Sequence, residues 1–197
     1  MRAFVIAMEC EARAIEAALK PDDRLYVCGI GKVNAAMAAQ RAIDEGADEI
    51  VNAGLAGAID PAMSVGEVYE IAGAVEYDFD LDELNHRGVG TLEECEGPVL
   101  PMSCRDRGKA KLLASGDHFR NDDADFSLIR SLGCSIRDME GAAIAHVCLK
   151  NGVFCRSFKA ISNVAGAGGM VDQYEKSKAL ALAALASAVV DPGRNLV

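Results

Sequence analysis

The sequence is poor in basic residues: 20 Lys and Arg stand against 30 Asp and Glu, a formal net charge of −10. A nucleic-acid binder would present a basic face, so that class is excluded, whereas an uncharged nucleoside is not. Histidine is scarce, with only His86, His118 and His146, and the 7 cysteines contain no CxxC pair. A zinc site needs clustered Cys and His ligands, so no metal and no other cofactor is expected. The odd cysteine count, with Cys28 and Cys148 inside apolar stretches, reads as free thiols in a reducing cytoplasm. Long apolar runs are missing too. The run at residues 2–7 is too short for a signal-peptide core and is followed by the acidic Glu9 and Glu11. The most apolar late segment, residues 179–190, is too short to cross a bilayer and reads as a packed helix. A cytoplasmic location with no membrane partner follows. There is no internal repeat and no low-complexity tract.

What is present is a chain of 197 residues, 51% hydrophobic and 25% charged, enough for one core and one domain spanning 1–197. Short apolar runs alternate with helical patterns. Residues 3–7, 25–28 and 49–52 read as strands, with residues 54–57 as the loop after the third and helices expected over 9–19 and 32–45. Residues 68–72, 74–77, 111–114, 135–137 and 153–161 read as further strands. Helices are expected over 141–150 and from 171 onward, and residues 78–97 read as a long acidic loop. Alternation of this kind predicts an α/β fold: a single-domain three-layer α/β/α sandwich with a mixed, largely parallel central sheet. Ligands of such sheets bind at the carboxyl ends of strands. Met8-Glu-Cys-Glu11, Gly29-Ile-Gly31, Gly54-Leu-Ala-Gly57, Ser115-Gly-Asp-His-Phe119, Met139-Glu140 and Ser162-Asn163 all fall there.

Each motif alone has a plain structural reading. Gly29-Ile-Gly-Lys32 lacks the spacing of a phosphate loop and the third glycine of a dinucleotide site, so it reads as a strand-to-helix turn. Glu11 and Glu140 each stand where a first-turn acid would favour a helix dipole. They also carry a chemical reading. A carboxylate can serve as general base to water, and one carboxylate can accept from two vicinal ribose hydroxyls. Asn163 could be an ordinary turn residue.

The order of the motifs changes their weight. Met8-Glu-Cys-Glu11, Gly29-Ile-Gly-Lys-Val-Asn-Ala-Ala36, Asn52-Ala-Gly-Leu-Ala-Gly57, Ser115-Gly-Asp-His-Phe119, Asp138-Met-Glu-Gly-Ala-Ala-Ile-Ala-His-Val-Cys148 and Ala160-Ile-Ser-Asn163 follow one another along the chain. That series resembles the nucleoside phosphorylase superfamily, and within it the 5′-methylthioadenosine/S-adenosylhomocysteine nucleosidases. The resemblance runs to about residue 165, and residues 138–148 are its most specific part.

The resemblance implies a purine nucleosidase that hydrolyses an N-glycosidic bond, with a purine nucleoside and water as its small-molecule partners and a homodimer as its assembly. It places Glu11 as activator of the hydrolytic water, and Met139 and Glu140 as holders of the ribose. Phe119 falls where an aromatic stacks on the purine, Arg120 where backbone groups meet the base edge, and Ile30 where the sugar pocket is lined. Met8, Leu55, Ala56, Gly57, Asp138 and Ser162 complete the implied binding set, with Asn163 as the third catalytic position beside Glu11 and Glu140. Three departures stand out. The family's general acid is an Asp where Asn163 stands, and an amide cannot deliver a proton. Related enzymes acting on 6-oxopurines use Asn there, which suggests a base as in inosine or futalosine. An adenine base, as in methylthioadenosine or S-adenosylhomocysteine, stays open through a flipped amide. Leu55 replaces a usual Ser, and only residues 20–28 remain of a hairpin usual before the first glycine turn. Phosphorolysis is the nearest rival, yet neither glycine turn holds an Arg and Glu11 would repel phosphate. A non-catalytic purine-binding module is the reading from a different class.

Overall fold

A computed structural model describes residues 1–190 of the chain. The apolar run near the N-terminus forms β1 (Arg2–Ile6), buried from Ala3 onward, and α1 (Glu9–Ile15) follows, extended by a 3-10 turn at Glu16–Ala18. The chain then passes through β2 (Arg24–Val27), α2 (Lys32–Asp44), β3 (Glu49–Ala58), β4 (Val68–Glu76), α3 (Asp82–Asn85), β5 (Leu100–Pro101) and β6 (Lys111–Ser115). It ends with α4 (Asp123–Ser131), β7 (Ile136–Asp138), α5 (Gly141–Asn151), β8 (Phe154–Val164) and α6 (Met170–Val190).

The strands join in the order β2-β1-β3-β7-β6-β4-β5, and β8 pairs with both β3 and β4. The pairs β1–β2, β1–β3, β3–β8, β4–β6 and β6–β7 are parallel, while β3–β7, β4–β8 and β4–β5 are antiparallel. The sheet is therefore mixed and largely parallel. Because β8 touches both β3 and β4, the strands β3, β7, β6, β4 and β8 close a circuit. The long central strand β3 is the hinge of this arrangement, with β1 on one side and β7 and β8 on the other.

Helices cover the sheet where small residues let them approach. In α2 the buried residues are Ala35, Ala38, Ala39 and Ala42, the spacing of one helical face. That face meets α5, whose buried stripe runs through Ala142, Ala143, Ala145 and Cys148. On the side of β1 and β8, α6 packs against α1, β8 and β3 around Phe4, Ile15, Phe158 and Leu185. A third cluster of Ile59, Val75, Phe126 and Ile129 seats α4.

Two expectations need correction. Residues 54–57 are not a loop but part of β3, which pairs with β8 from Glu49 to Ala58. Glycine and alanine there look like turn residues, but they are small because side chains from other elements crowd this strand. The segments 68–72 and 74–77 are likewise one strand, β4. The acidic stretch 78–97 carries the short helix α3. Helix α4 went unread in the sequence, although Asp122 caps it by accepting from the Ala124 and Asp125 N–H groups. All 7 cysteines are free. Among the described residues no helix is long and apolar enough to cross a membrane, and no cluster of three metal-ligating side chains occurs.

One irregularity matters below. Along β3 and β8 the register runs Ala56↔Ile161 and then Gly57↔Asn163, so Ser162 is an extra residue in β8. Successive side chains of a regular strand point to opposite faces. The bulge lets Ser162 and Asn163 both line the same cavity.

Candidate active site

The carboxyl ends of β1, β3, β7 and β8 surround a cavity of about 470 Å³. Glu11 enters it from the first turn of α1. This buried carboxylate is held at two points: Oε2 accepts from the Met8 N–H at 3.0 Å and Oε1 from the Leu55 N–H at 2.7 Å. The first bond is the back-reaching half of a capping box, so the helix-cap reading of Glu11 is also true. Burial raises its pKa above the usual carboxylate range, and the Leu55 N–H and the Lys159 charge oppose that rise in part. A carboxylate so placed is a stronger base than one in water.

Glu140 stands at the N-cap of α5, also buried. Its Oε1 accepts from the Gly31 N–H at 2.9 Å. Gly31 has φ of +102°, a conformation that side chains rarely adopt, and this aims its N–H across at Glu140. Burial, and then the nearby Asp138 charge, push Glu140 up to about 7.

Beneath both glutamates lies an ion pair that the sequence reading missed. Lys159 Nζ sits 2.8 Å from Asp138 Oδ2, and both side chains are 1% exposed. Asp138 Oδ2 also accepts from the Gly141 N–H at 2.9 Å, and its Oδ1 from the Ser115 hydroxyl. Ser115 Oγ in turn accepts from the Ala142 N–H at 2.8 Å, so the first two N–H groups of α5 are both held. Burial alone would lower the Lys159 pKa, but Asp138, Glu140 and Glu11 outweigh it and raise it. The signal was a single charge in the apolar run Phe158-Lys-Ala-Ile161. The other basic residue of this region, Lys32, is spent on Asp78 at 2.6 Å and Glu76 at 3.3 Å.

The far end of the cavity is built around Gly57. A Cβ there would lie 3.1 Å from Asn163 Nδ2 and 3.6 Å from Arg137 Cγ. Gly54, by contrast, would put a Cβ 2.9 Å from Glu11 Oε1. The two ends are thus three residues apart on β3, about 10 Å at the rise of a strand, the scale of a nucleoside. Ser162 Oγ lies 3.2 Å from both the Ala56 carbonyl and Asn163 Oδ1.

Met8, Ile30, Leu55, Ala56, Gly57, Phe119, Asp138, Met139 and Ser162 line the cavity together with Glu11, Glu140 and Asn163. Phe119 is half-exposed at the mouth and meets Tyr174 edge-on at 6.4 Å. Arg120 lies outside the lining. Its side chain pairs with Asp122 and Asp125, while its carbonyl accepts from Arg137 Nη2 at 2.7 Å. Arg137, His118 and Tyr174 line the cavity without having been singled out in the sequence. Tyr174 comes from α6, beyond the reach of the motif series.

Comparison with known proteins gives a consistent picture. Residues 24–191 match the family model described as the phosphorylase superfamily. The chain is 32% identical over 180 residues to the 5′-methylthioadenosine/S-adenosylhomocysteine nucleosidase of Treponema pallidum, covering 73% of this chain and 67% of that protein. It is 35% identical over 175 residues to the futalosine hydrolase of Thermus thermophilus, covering 82% of this chain and 76% of that one. Among solved structures, a 5′-methylthioadenosine/S-adenosylhomocysteine nucleosidase of Helicobacter pylori superposes with a TM-score of 0.84 over 97% of both chains. Its 19% identity supports the fold alone.

Proposed function

Since this chain belongs to the phosphorylase superfamily, we propose that its cavity hydrolyses the N-glycosidic bond of a purine nucleoside. The observation that carries this reading is Glu11: a buried carboxylate, fixed by two backbone N–H groups, facing a cavity whose other end holds an amide. Glu11 takes a proton from water, and the resulting hydroxide joins C1′ of the ribose. The C1′–N9 bond breaks with its electron pair leaving on the base, which takes up a proton from solvent. Glu140 accepts from the ribose hydroxyls. Asn163 holds the base edge, and Phe119 lies against its ring.

Hydrolysis fits the local charge better than phosphorolysis. Glu11, Glu140 and Asp138 bring negative charge to the sugar end, where a phosphate would have to sit. Lys159 is already bound to Asp138, and Lys32 to Asp78 and Glu76. Removing a general base costs roughly 10²–10⁴-fold, so Glu11→Gln should lose that much kcat with the fold intact. Base release should not depend on added phosphate. Full activity in Glu11→Gln, or strict dependence on phosphate, would sink this assignment.

The chain reads as one three-layer α/β/α domain. The free cysteines suit a reducing cytoplasm. Ile30, Val33 and Met37 expose 52%, 79% and 66% of their surface beside the cavity mouth and along α2, a face suited to a homodimer. Light scattering of the protein, and of Met37→Glu, tests that assembly.

A further inference from the structure

Asp117 stands two residues past the end of β6, and its exposed carboxylate takes no part in the cavity lining. Its Oδ1 accepts from the Lys32 N–H, the first N–H of α2, at 2.9 Å. Its own N–H donates to Asp78 Oδ2 at 3.0 Å, and Asp78 Oδ1 holds Lys32 Nζ at 2.6 Å. Lys32 and Asp117 are thus joined twice, directly and through Asp78. The residue before Asp117 has to be glycine. A Cβ on Gly116 would fall 2.5 Å from the Tyr77 ring and 3.1 Å from Asp78 Cγ. On the other side of that glycine, the Ser115 hydroxyl donates to Asp138 and accepts from the Ala142 N–H, at the start of α5.

One three-residue segment therefore holds the starts of two helices. Ser115 fixes α5, whose N-cap is Glu140. Asp117 fixes α2, whose N-cap is Gly31. These two N-caps meet in the bond from the Gly31 N–H to Glu140 Oε1 at 2.9 Å. Gly31, at φ of +102°, has the most permissive backbone of any residue type, so the direction of its N–H depends on what ties the turn. Asn34 Nδ2 donates to the Ile30 carbonyl at 2.8 Å, but Asn34 belongs to α2 and moves with it. The ties to other elements are Lys32 Nζ, at the end of a flexible stem, and Asp117, which grips the backbone itself. With Oε1 engaged by Gly31, Glu140 Oε2 has no hydrogen-bond partner among the described residues and is left to a ligand hydroxyl.

We propose that Asp117 is a positioning residue: by anchoring α2 to the segment that also anchors α5, it keeps the Gly31 N–H on Glu140 and so fixes the carboxylate that grips the ribose. This rests on the nucleosidase reading for the ribose and adds a residue that stands outside the cavity lining. A helix cap and nothing more would affect stability but not Glu140. The two roles differ in a measurable sign. Burial, and then the Asp138 charge, raise the Glu140 pKa, with Glu11 adding to them, while Lys159 and the Gly31 N–H lower it. Losing that N–H raises it further. Removing the Asp117 charge by itself pushes Glu140 the opposite way.

The test follows the Gly31 amide by heteronuclear NMR across pH, with no substrate present. In the wild type this resonance should titrate with a midpoint of about 7. In Asp117→Ala the midpoint should rise by about 0.5 to 1. Asp117→Asn loses the charge but keeps an oxygen for the Lys32 N–H, so its midpoint should stay at the wild-type value or fall below it. Kinetics with 5′-methylthioadenosine and futalosine gives the second readout. Asp117→Ala should lower kcat/KM about 5- to 30-fold, but by less than about threefold once Glu140 is replaced by Gln. An unchanged or lowered midpoint in Asp117→Ala, or losses that multiply in the double variant, overturns the proposal while leaving the nucleosidase reading intact. Should Asp117→Ala fail to fold, Asp117→Ser, whose hydroxyl is too short to reach the Lys32 N–H, replaces it in both measurements. If the wild type cleaves neither nucleoside, the nucleosidase reading fails, and the amide titration still judges Asp117 by itself.

Discussion

Gly54→Ala isolates the positioning of Glu11 from everything else in the cavity. Gly54 lies within β3 and is not among the glycines with positive φ, so alanine meets no backbone penalty there. The strain falls on one neighbour. The new Cβ would stand 2.9 Å from Glu11 Oε1 and 3.4 Å from its Cδ, closer than carbon and oxygen normally approach. The carboxylate must retreat by a few tenths of an ångström, away from the Leu55 N–H that it accepts from at 2.7 Å. A charge-assisted bond of this kind contributes about 1.5–3 kcal/mol, and stretching it forfeits part of that, so a stability loss of about 1 kcal/mol is expected. Misplacing a catalytic group by about 1 Å can cost 10²-fold. The smaller shift here should lower kcat by roughly 10- to 50-fold with little change in KM. Steady-state base release in a double-mutant cycle with Glu11→Ala is the assay. Once the carboxylate is gone, Gly54→Ala should cost less than about threefold more. If the two losses simply multiply, Gly54 does not act through Glu11 and the reasoning is wrong.

Other outcomes follow from the buried charges. Glu140 is held up to about 7, chiefly by burial, and the proposed grip on both ribose hydroxyls uses its ionised form. The pH profile of kcat/KM should therefore show an acid limb with an apparent pKa near 7 that belongs to the coupled carboxylates, and Glu140→Gln should move that limb to lower pH, leaving the limb of Glu11. The same group affects stability with a defined sign. Its folded pKa lies above the ordinary carboxylate value of 4.5, so the folded protein binds the proton more tightly and loses stability as pH rises from about 4.5 to about 7. Melting curves at pH 8 should then show Glu140→Gln above the wild type in Tm; a lower Tm contradicts this account. Lys159→Met leaves Asp138, Glu140 and Glu11 without their buried cation, and breaking such a pair costs about 3–5 kcal/mol. That deficit should shrink in acid as Glu140 and Glu11, both raised by burial, protonate, and a deficit independent of pH would contradict the role given to Lys159.

Much of the fold was legible because its strands are apolar and its helices alanine-rich. Strands β1, β2 and β6, and helices α2 and α5, lie within a residue or two of where hydrophobic patterning puts them. The region 54–57 was misread because glycine has one appearance and two uses. It breaks strands, and it also makes room inside them, and only the neighbours of Gly54 and Gly57 tell which. Glu11 and Glu140 were legible from their places in an ordered series. Arg137 and Lys159 were not. A charge inside an apolar strand looks like an outward-facing residue until the fold places Asp138 against Lys159 and leaves Arg137 facing a ring. Arg120 was named for backbone groups that meet a base edge, and in the fold its carbonyl accepts from Arg137 Nη2, a bond no motif announces.

The extra residue in β8 also bears on which substitutions the cavity can absorb. Ahead of the bulge, β3 and β8 run in strict register as far as Ala56 and Ile161. Behind it, Ser162 and Asn163 present two adjacent side chains to the cavity, and Ser177 of α6 secures the loosened backbone by donating to the Ser162 carbonyl. The ladder is already interrupted at this point, so exchanging a residue there disturbs few of the hydrogen bonds that align the earlier part of the strand. One strand pair thus has a regular half beside Glu11 and an irregular half at Asn163: a substitution at Ser162 or Asn163 should leave in place the Leu55 N–H that holds the Glu11 carboxylate.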